Sequence, residues 1–182
     1  MPLCLSALFW CWWARWSRTP WREIGYVRPK SWIGSLAVGI AFGCAFKFLM
    51  KSNRGAAPRC RPDQSGVPLA GRRPGRAPSS RVAMFVGAGF GEETVFRGYL
   101  FERLGKLLGT GAVAKIVIVV LGAGLFAIRH YSDQGLAGVQ QATITGLVFS
   151  TIFAVTGRIW MLMFAHAAFD LTALAMIYWN LG

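Results

Sequence analysis

The stretch IWMLMFAHAAFDLTALAMIYWNL, residues 159–181, decides the fold. Its only ionisable side chains of ordinary membrane-avoiding type are His166 and Asp170, and the rest is apolar or aromatic apart from one Thr and one Asn. A helix crossing a hydrocarbon layer needs about 20 such residues, so the stretch reads as a transmembrane span. Comparable runs occur at 136–155, 112–128, 82–101 and 32–50. The apolar run 3–13 is too short to span alone. The expected fold is all-α: a polytopic transmembrane helix bundle of five to six spans.

The composition agrees. Of 182 residues, 54% are hydrophobic and only 15% charged, against about 25% charged in ordinary globular domains, and mean hydropathy is +0.44. Disordered, collagen-like and disulfide-scaffold classes are excluded. The net charge of +13 would suggest a nucleic-acid partner in a soluble chain. Its distribution argues for topology instead. Eight of the twenty basic residues fall within 51–81, and without that segment and its one acid, Asp63, the net charge is +6. Most of the others sit in short loops, where Lys and Arg orient spans against anionic lipid. Membrane lipids are therefore the expected partners and nucleic acid is not.

Three regions follow. Residues 1–50 form an N-terminal membrane segment with a basic loop; Trp10, Trp12, Trp13 and Trp16 suit an interfacial belt, and Lys47 can snorkel from the end of its span. Residues 51–81 are rich in Arg, Pro, Gly, Ala and Ser and can build no core, so they read as a disordered loop, or as an aberrant stretch of sequence. Residues 82–182 form the remaining bundle. No secretory signal is expected, since 1–13 lacks a basic n-region and a small-residue cleavage site. The four cysteines (Cys4, Cys11, Cys44, Cys60) form no metal or redox motif. Gly87, Gly89, Gly91, Gly122, Gly124 and Gly146 suit close helix contact. Loops 15–30, 102–115 and 157–158 should share one face if 3–13 crosses.

Six polar residues stand where lipid-facing helices have no use for them: Glu92, Glu93, Arg97, His130, His166 and Asp170. A central Asp or Arg costs about 2.5–3.5 kcal/mol on insertion scales, so these side chains should face the bundle interior and one another. Glu93 and Arg97 are four apart and can pair on one helix face, as can His166 and Asp170. Glu92 is turned about 100° from Glu93 on an α-helix, so the two acids need not share a task. A glutamate and histidines in a low-dielectric cavity can bind and deprotonate a water, with a second histidine, oriented by Asp170, donating to a developing oxyanion. Alternatively Glu92, His130 and His166 supply the three-ligand open set of a catalytic zinc. Either describes hydrolysis of a peptide bond by water.

The runs Glu92-Glu93-Thr94-Val95-Phe96-Arg97-Gly98, Phe126-Ala127-Ile128-Arg129-His130 and His166-Ala167-Ala168-Phe169-Asp170 resemble the three motifs of the CPBP family, the CAAX proteases and bacteriocin-processing (abortive-infection) intramembrane proteases. The resemblance covers roughly 82–182. It implies a membrane endopeptidase in which Glu92 and His130 activate the water, His166 and Asp170 stabilise the oxyanion, and Glu93, Arg97 and Phe126 support the site. It also implies either one divalent metal, zinc first, on Glu92, His130 and His166, or a metal-free glutamate mechanism. The substrate would be a membrane-associated protein or peptide, and the setting a bacterial cytoplasmic membrane. Asp170 stands where the family admits Asn, and Arg129 where a small or apolar residue is usual. Two other classes fit part of the pattern: a non-catalytic immunity or scaffolding protein, and a proton-coupled carrier, although no internal repeat is visible.

Overall fold

A computed structural model describes residues 19–52 and 85–179. Among them every regular element is helical, as expected. Helix α1 is Trp32–Ser52. Helix α2 begins with wide π-type turns over Phe85–Glu92 and Thr94–Tyr99 and finishes as an α-helix over Leu100–Leu108. Then come α3, Ala112–Arg129, α4, Tyr131–Thr156, and α5, Trp160–Tyr178. Four of these, all but α2, are long and apolar enough to cross a membrane. Their outward faces expose Ile33, Val38, Phe48, Leu49, Val113, Ile116, Ile128 and Val155, a surface suited to lipid and costly in water. Residues 3–13, the four tryptophans of 10–16 and almost all of 51–81 lie outside the described residues.

The packing is organised around α5. Helix α1 lies along it through Gly39 and Gly43: a Cβ at Gly39 would fall 2.7 Å from Phe164 Cβ, and one at Gly43 would overlap the Ala165 carbonyl. These two glycines, four apart, let the backbones touch as small-residue pairs do in membranes. The α2 helix meets α5 from another side, with Gly89 against Met163 and Ala167. α3 packs on α4, where Gly146 sits against Ala123. Phe46, Phe149, Phe153, Leu162, Met163 and Phe169 fill the space between.

Contacts at the helix ends fix the sidedness of the bundle. Arg103 donates to Thr19 Oγ1 at 2.8 Å, Lys106 pairs with Glu23 at 3.3 Å, and the Ile159 amide donates to the Gly25 carbonyl at 3.1 Å. Hydrogen bonds to Glu102 and Glu23 hold the Lys106 ammonium above its ordinary pKa. The segment 19–31, the end of α2 and the α4–α5 turn therefore share one face. Trp21, Tyr26, Trp32 and Trp160 stack edge-on there, at centroid distances of 5.0–5.1 Å, which suits a headgroup-level anchor. The α3–α4 corner, His130 to the break at Gly135 (φ 61°), lies at the other end.

Two local expectations are corrected. α2 is not an ordinary α-helix where it carries the acids. Its i→i+5 hydrogen bonding places more residues in each turn, so neighbouring side chains diverge by less than the ~100° of an α-helix. Lys47 does not snorkel outward. It is only 8% exposed, with its Nζ donating to Gln141 Oε1 at 3.2 Å and standing 4.6 Å from the Phe169 ring centre. The phenylalanine face and the amide oxygen offer the cation an interior solvation shell.

Replacing Gly43 with Val should force α1 away from α5 and cost roughly 1–3 kcal/mol, read as a lower melting temperature in detergent. Gly124→Val, where an added Cβ meets nothing within 4 Å, should leave melting unchanged. Equal melting of both variants would refute the close α1–α5 approach.

Candidate active site

The six polar residues converge. Glu93 and Arg97 have fully buried side chains, and Arg97 Nη1 donates to Glu93 Oε1 at 3.0 Å. The same carboxylate oxygen accepts from His166 Nδ1 at 2.6 Å. One oxygen thus ties α2 to itself and to α5. The guanidinium makes no hydrogen bond through Nε or Nη2; its carbon lies 4.3 Å from the Phe126 ring centre and 5.7 Å from that of Phe149. Aromatic faces take the place of the missing acceptors.

Phe126 does more than fill space. Its carbonyl accepts the hydrogen of His130 Nδ1 at 2.8 Å, and its ring lies 4.6 Å from that of His130 and packs edge-on to His166 at 6.0 Å. Because a carbonyl can only accept, His130 carries its hydrogen on Nδ1 and turns Nε2 inward as a lone pair when the ring is neutral. His166 likewise gives its Nδ1 hydrogen to Glu93. Both rings are held by their far nitrogens, leaving the near ones for chemistry.

Those near nitrogens face Glu92. Its Oε2 lies 4.0 Å from His130 Nε2 and 3.9 Å from His166 Nε2, and that oxygen is buried with no hydrogen-bond partner. Polar groups at such separations are bridged by one water in many sites. Asp170 Oδ2 stands 3.8 Å from His166 Nε2. It therefore sits on the cavity side of that ring, and the residue that orients His166 is Glu93. A cavity of about 40 Å³ lies beside these groups, bounded by His130, His166 and Asp170 and also by Gln134, Gln141 and Thr145. It is large enough for a water or two. The widened turns of α2 bring Glu92 and Glu93 to the same interior, with Glu93 behind His166 and Glu92 in front. Arg129 is exposed on the outside of α3, away from the cavity.

Zinc bonds of 2.0–2.1 Å put tetrahedral ligands about 3.4 Å apart. The 3.9 and 4.0 Å separations around Glu92 are wider, and among the described residues no group of three or more His, Cys, Asp and Glu is disposed to hold a metal ion. The donor set as it stands does not fit zinc.

Reading the three motifs finds the acid–histidine cluster but not Lys47, Gln141 or Thr145. Their signal is present in the sequence: each is a polar side chain within an apolar span, and Gln141 and Thr145 are four apart on one helix.

A helical bundle with apolar outer faces and an interior glutamate–histidine cluster is the architecture of an integral membrane protein with a buried polar site. The family of type II CAAX prenyl endopeptidase Rce1-like proteins matches residues 76–172, just over half of the chain. The chain belongs to this family, which is the CPBP family its motifs resemble. Comparison with curated proteins and with solved structures gives no match.

Removing Glu93 alone should strand the buried Arg97 charge and cost about 3–5 kcal/mol. In detergent melts, Glu93→Ala should therefore fall well below the double variant Glu93→Ala/Arg97→Met, which buries no charge at this position. A single variant that melts with the wild type would show that the pair is not structural.

Proposed function

We propose that this protein is an intramembrane endopeptidase of the CAAX-protease type, hydrolysing peptide bonds of membrane-associated substrates with a water activated by Glu92 and His130. One observation carries the reading: a buried, unpartnered Glu92 oxygen set 3.9–4.0 Å from the near nitrogens of two histidines whose far nitrogens are already committed. That spacing suits a water held between an acceptor carboxylate and imidazole nitrogens.

In the proposed step the substrate carbonyl lies against His166, and Glu92, with His130 beside it, removes one proton from the water. The water oxygen bonds to the carbonyl carbon, giving a tetrahedral oxyanion. His166 Nε2–H, present when that ring is protonated, donates to this oxygen, while Glu93 holds the ring in place through Nδ1. The C–N bond then breaks, and the proton held by Glu92 passes to the leaving nitrogen. Arg97 keeps the negative charge of Glu93 balanced, and the aromatic shell of Phe126 and Phe149 excludes bulk water from behind the site. We place this activity in a bacterial cytoplasmic membrane, on proteins or peptides that present a bond at bilayer depth.

The test is purified protein in detergent with a quenched peptide library. Wild type should cleave, and Glu92→Gln, His130→Ala and His166→Ala should each lose at least about 100-fold in kcat/KM. No cleavage by wild type across varied membrane peptides, or equal cleavage by all four proteins, would overturn the proposal. Metal analysis of the same samples separates the chemistries. Stoichiometric zinc that is lost in His130→Ala would replace the carboxylate-activated water with a metal-activated one.

A further inference from the structure

A lysine inside a span is costly to insert and by default marks function. Lys47 belongs to none of the three motifs and has no part in the proposed hydrolysis, yet it is buried on α1 with its Nζ 3.2 Å from Gln141 Oε1. An ammonium only donates, so it fixes which end of the amide faces it: the carbonyl oxygen. The amide nitrogen, with its two hydrogens, is the donating end of that side chain. Gln141 also lines the cavity shared by His130, His166 and Asp170.

The cavity has a use for such a donor. Asp170, 3.8 Å from His166 Nε2, can only accept hydrogen bonds when ionised. It cannot then donate to a developing oxyanion. Gln141 and His166 both line the cavity of about 40 Å³ that would receive the reacting carbonyl. We infer that Gln141 is a further catalytic residue, donating from its amide nitrogen to the substrate carbonyl oxygen as it becomes an oxyanion, and that Lys47 is the positioning residue that aims it. The positive charge of Lys47 behind the amide polarises the donor and offsets the negative charge that the reaction adds. This inference rests on the proposed hydrolysis.

Kinetics in detergent decide it, with melting temperatures recorded for each variant. Gln141→Leu and Gln141→Met should lower kcat by about 100-fold while KM stays near the wild-type value, because the lost contact forms only in the transition state. Both should weaken a peptide phosphonate, which carries the tetrahedral oxyanion shape, far more than they weaken a non-cleavable ground-state peptide. Lys47→Met should reproduce the kcat loss, and Lys47→Arg, which still donates to the amide oxygen, should lie nearer wild type. Unchanged kcat in the Gln141 variants, a loss confined to KM, or equal weakening of phosphonate and ground-state peptide would overturn the assignment. Wild-type cleavage that disappears in Glu92→Gln keeps the hydrolysis itself in place whatever Gln141 does. A wild type that cleaves nothing overturns both.

Discussion

One carboxylate oxygen organises the interior of this protein. Glu93 Oε1 accepts from Arg97 at 3.0 Å and from His166 at 2.6 Å, in a place where neither side chain reaches solvent. In a low-dielectric interior each of the three groups alone would be expensive to keep ionised, and together they compensate one another. The arrangement fixes the ring plane of His166 and anchors α2 to α5. It also leaves Arg97 to be solvated by the faces of Phe126 and Phe149 rather than by further oxygens. Phe126 in turn pins His130 through its carbonyl. The positions of both histidines thus trace back to the same oxygen, His166 directly and His130 through one arginine and one phenylalanine.

Much of this is legible in the sequence alone. A scarcity of charge makes each interior charge conspicuous, so Glu92, Glu93, Arg97, His130, His166 and Asp170 could be picked out as a set that must meet. The span limits were close as well: 32–50, 112–128 and 159–181 were expected where Trp32–Ser52, Ala112–Arg129 and Trp160–Tyr178 occur. Pairings within one helix were equally readable, since Glu93 and Arg97 are four apart.

What was not legible required knowledge of packing. The sequence pairs His166 with Asp170, four residues on, and only the relative rotation of α2 and α5 brings Glu93 to its Nδ1. That rotation depends on the wide turns of α2, for which composition has no clear signature beyond several glycines. Lys47 departs from its expected outward reach for a related reason. Near the end of a span a lysine ordinarily reaches for the headgroups, but α1 meets α5 through Gly39 and Gly43, and that face carries Lys47 inward to Phe169 and Gln141. The glycines that mattered most for that contact were not those of the motif-bearing helices.

The family match begins at residue 76, and α1 ends at Ser52, so a whole helix of the bundle lies outside the region by which the chain is recognised. All six motif residues fall inside the matched region, and the lysine held against Gln141 does not. The matched region therefore holds every motif residue but not every polar side chain packed against the cavity lining. Two chains could share every signature residue from α2 to α5 and still differ in the charge set behind the cavity lining, according to what their first helix packs against it. Divergence in that helix is a route by which members of such a family could change what they cut while keeping how they cut.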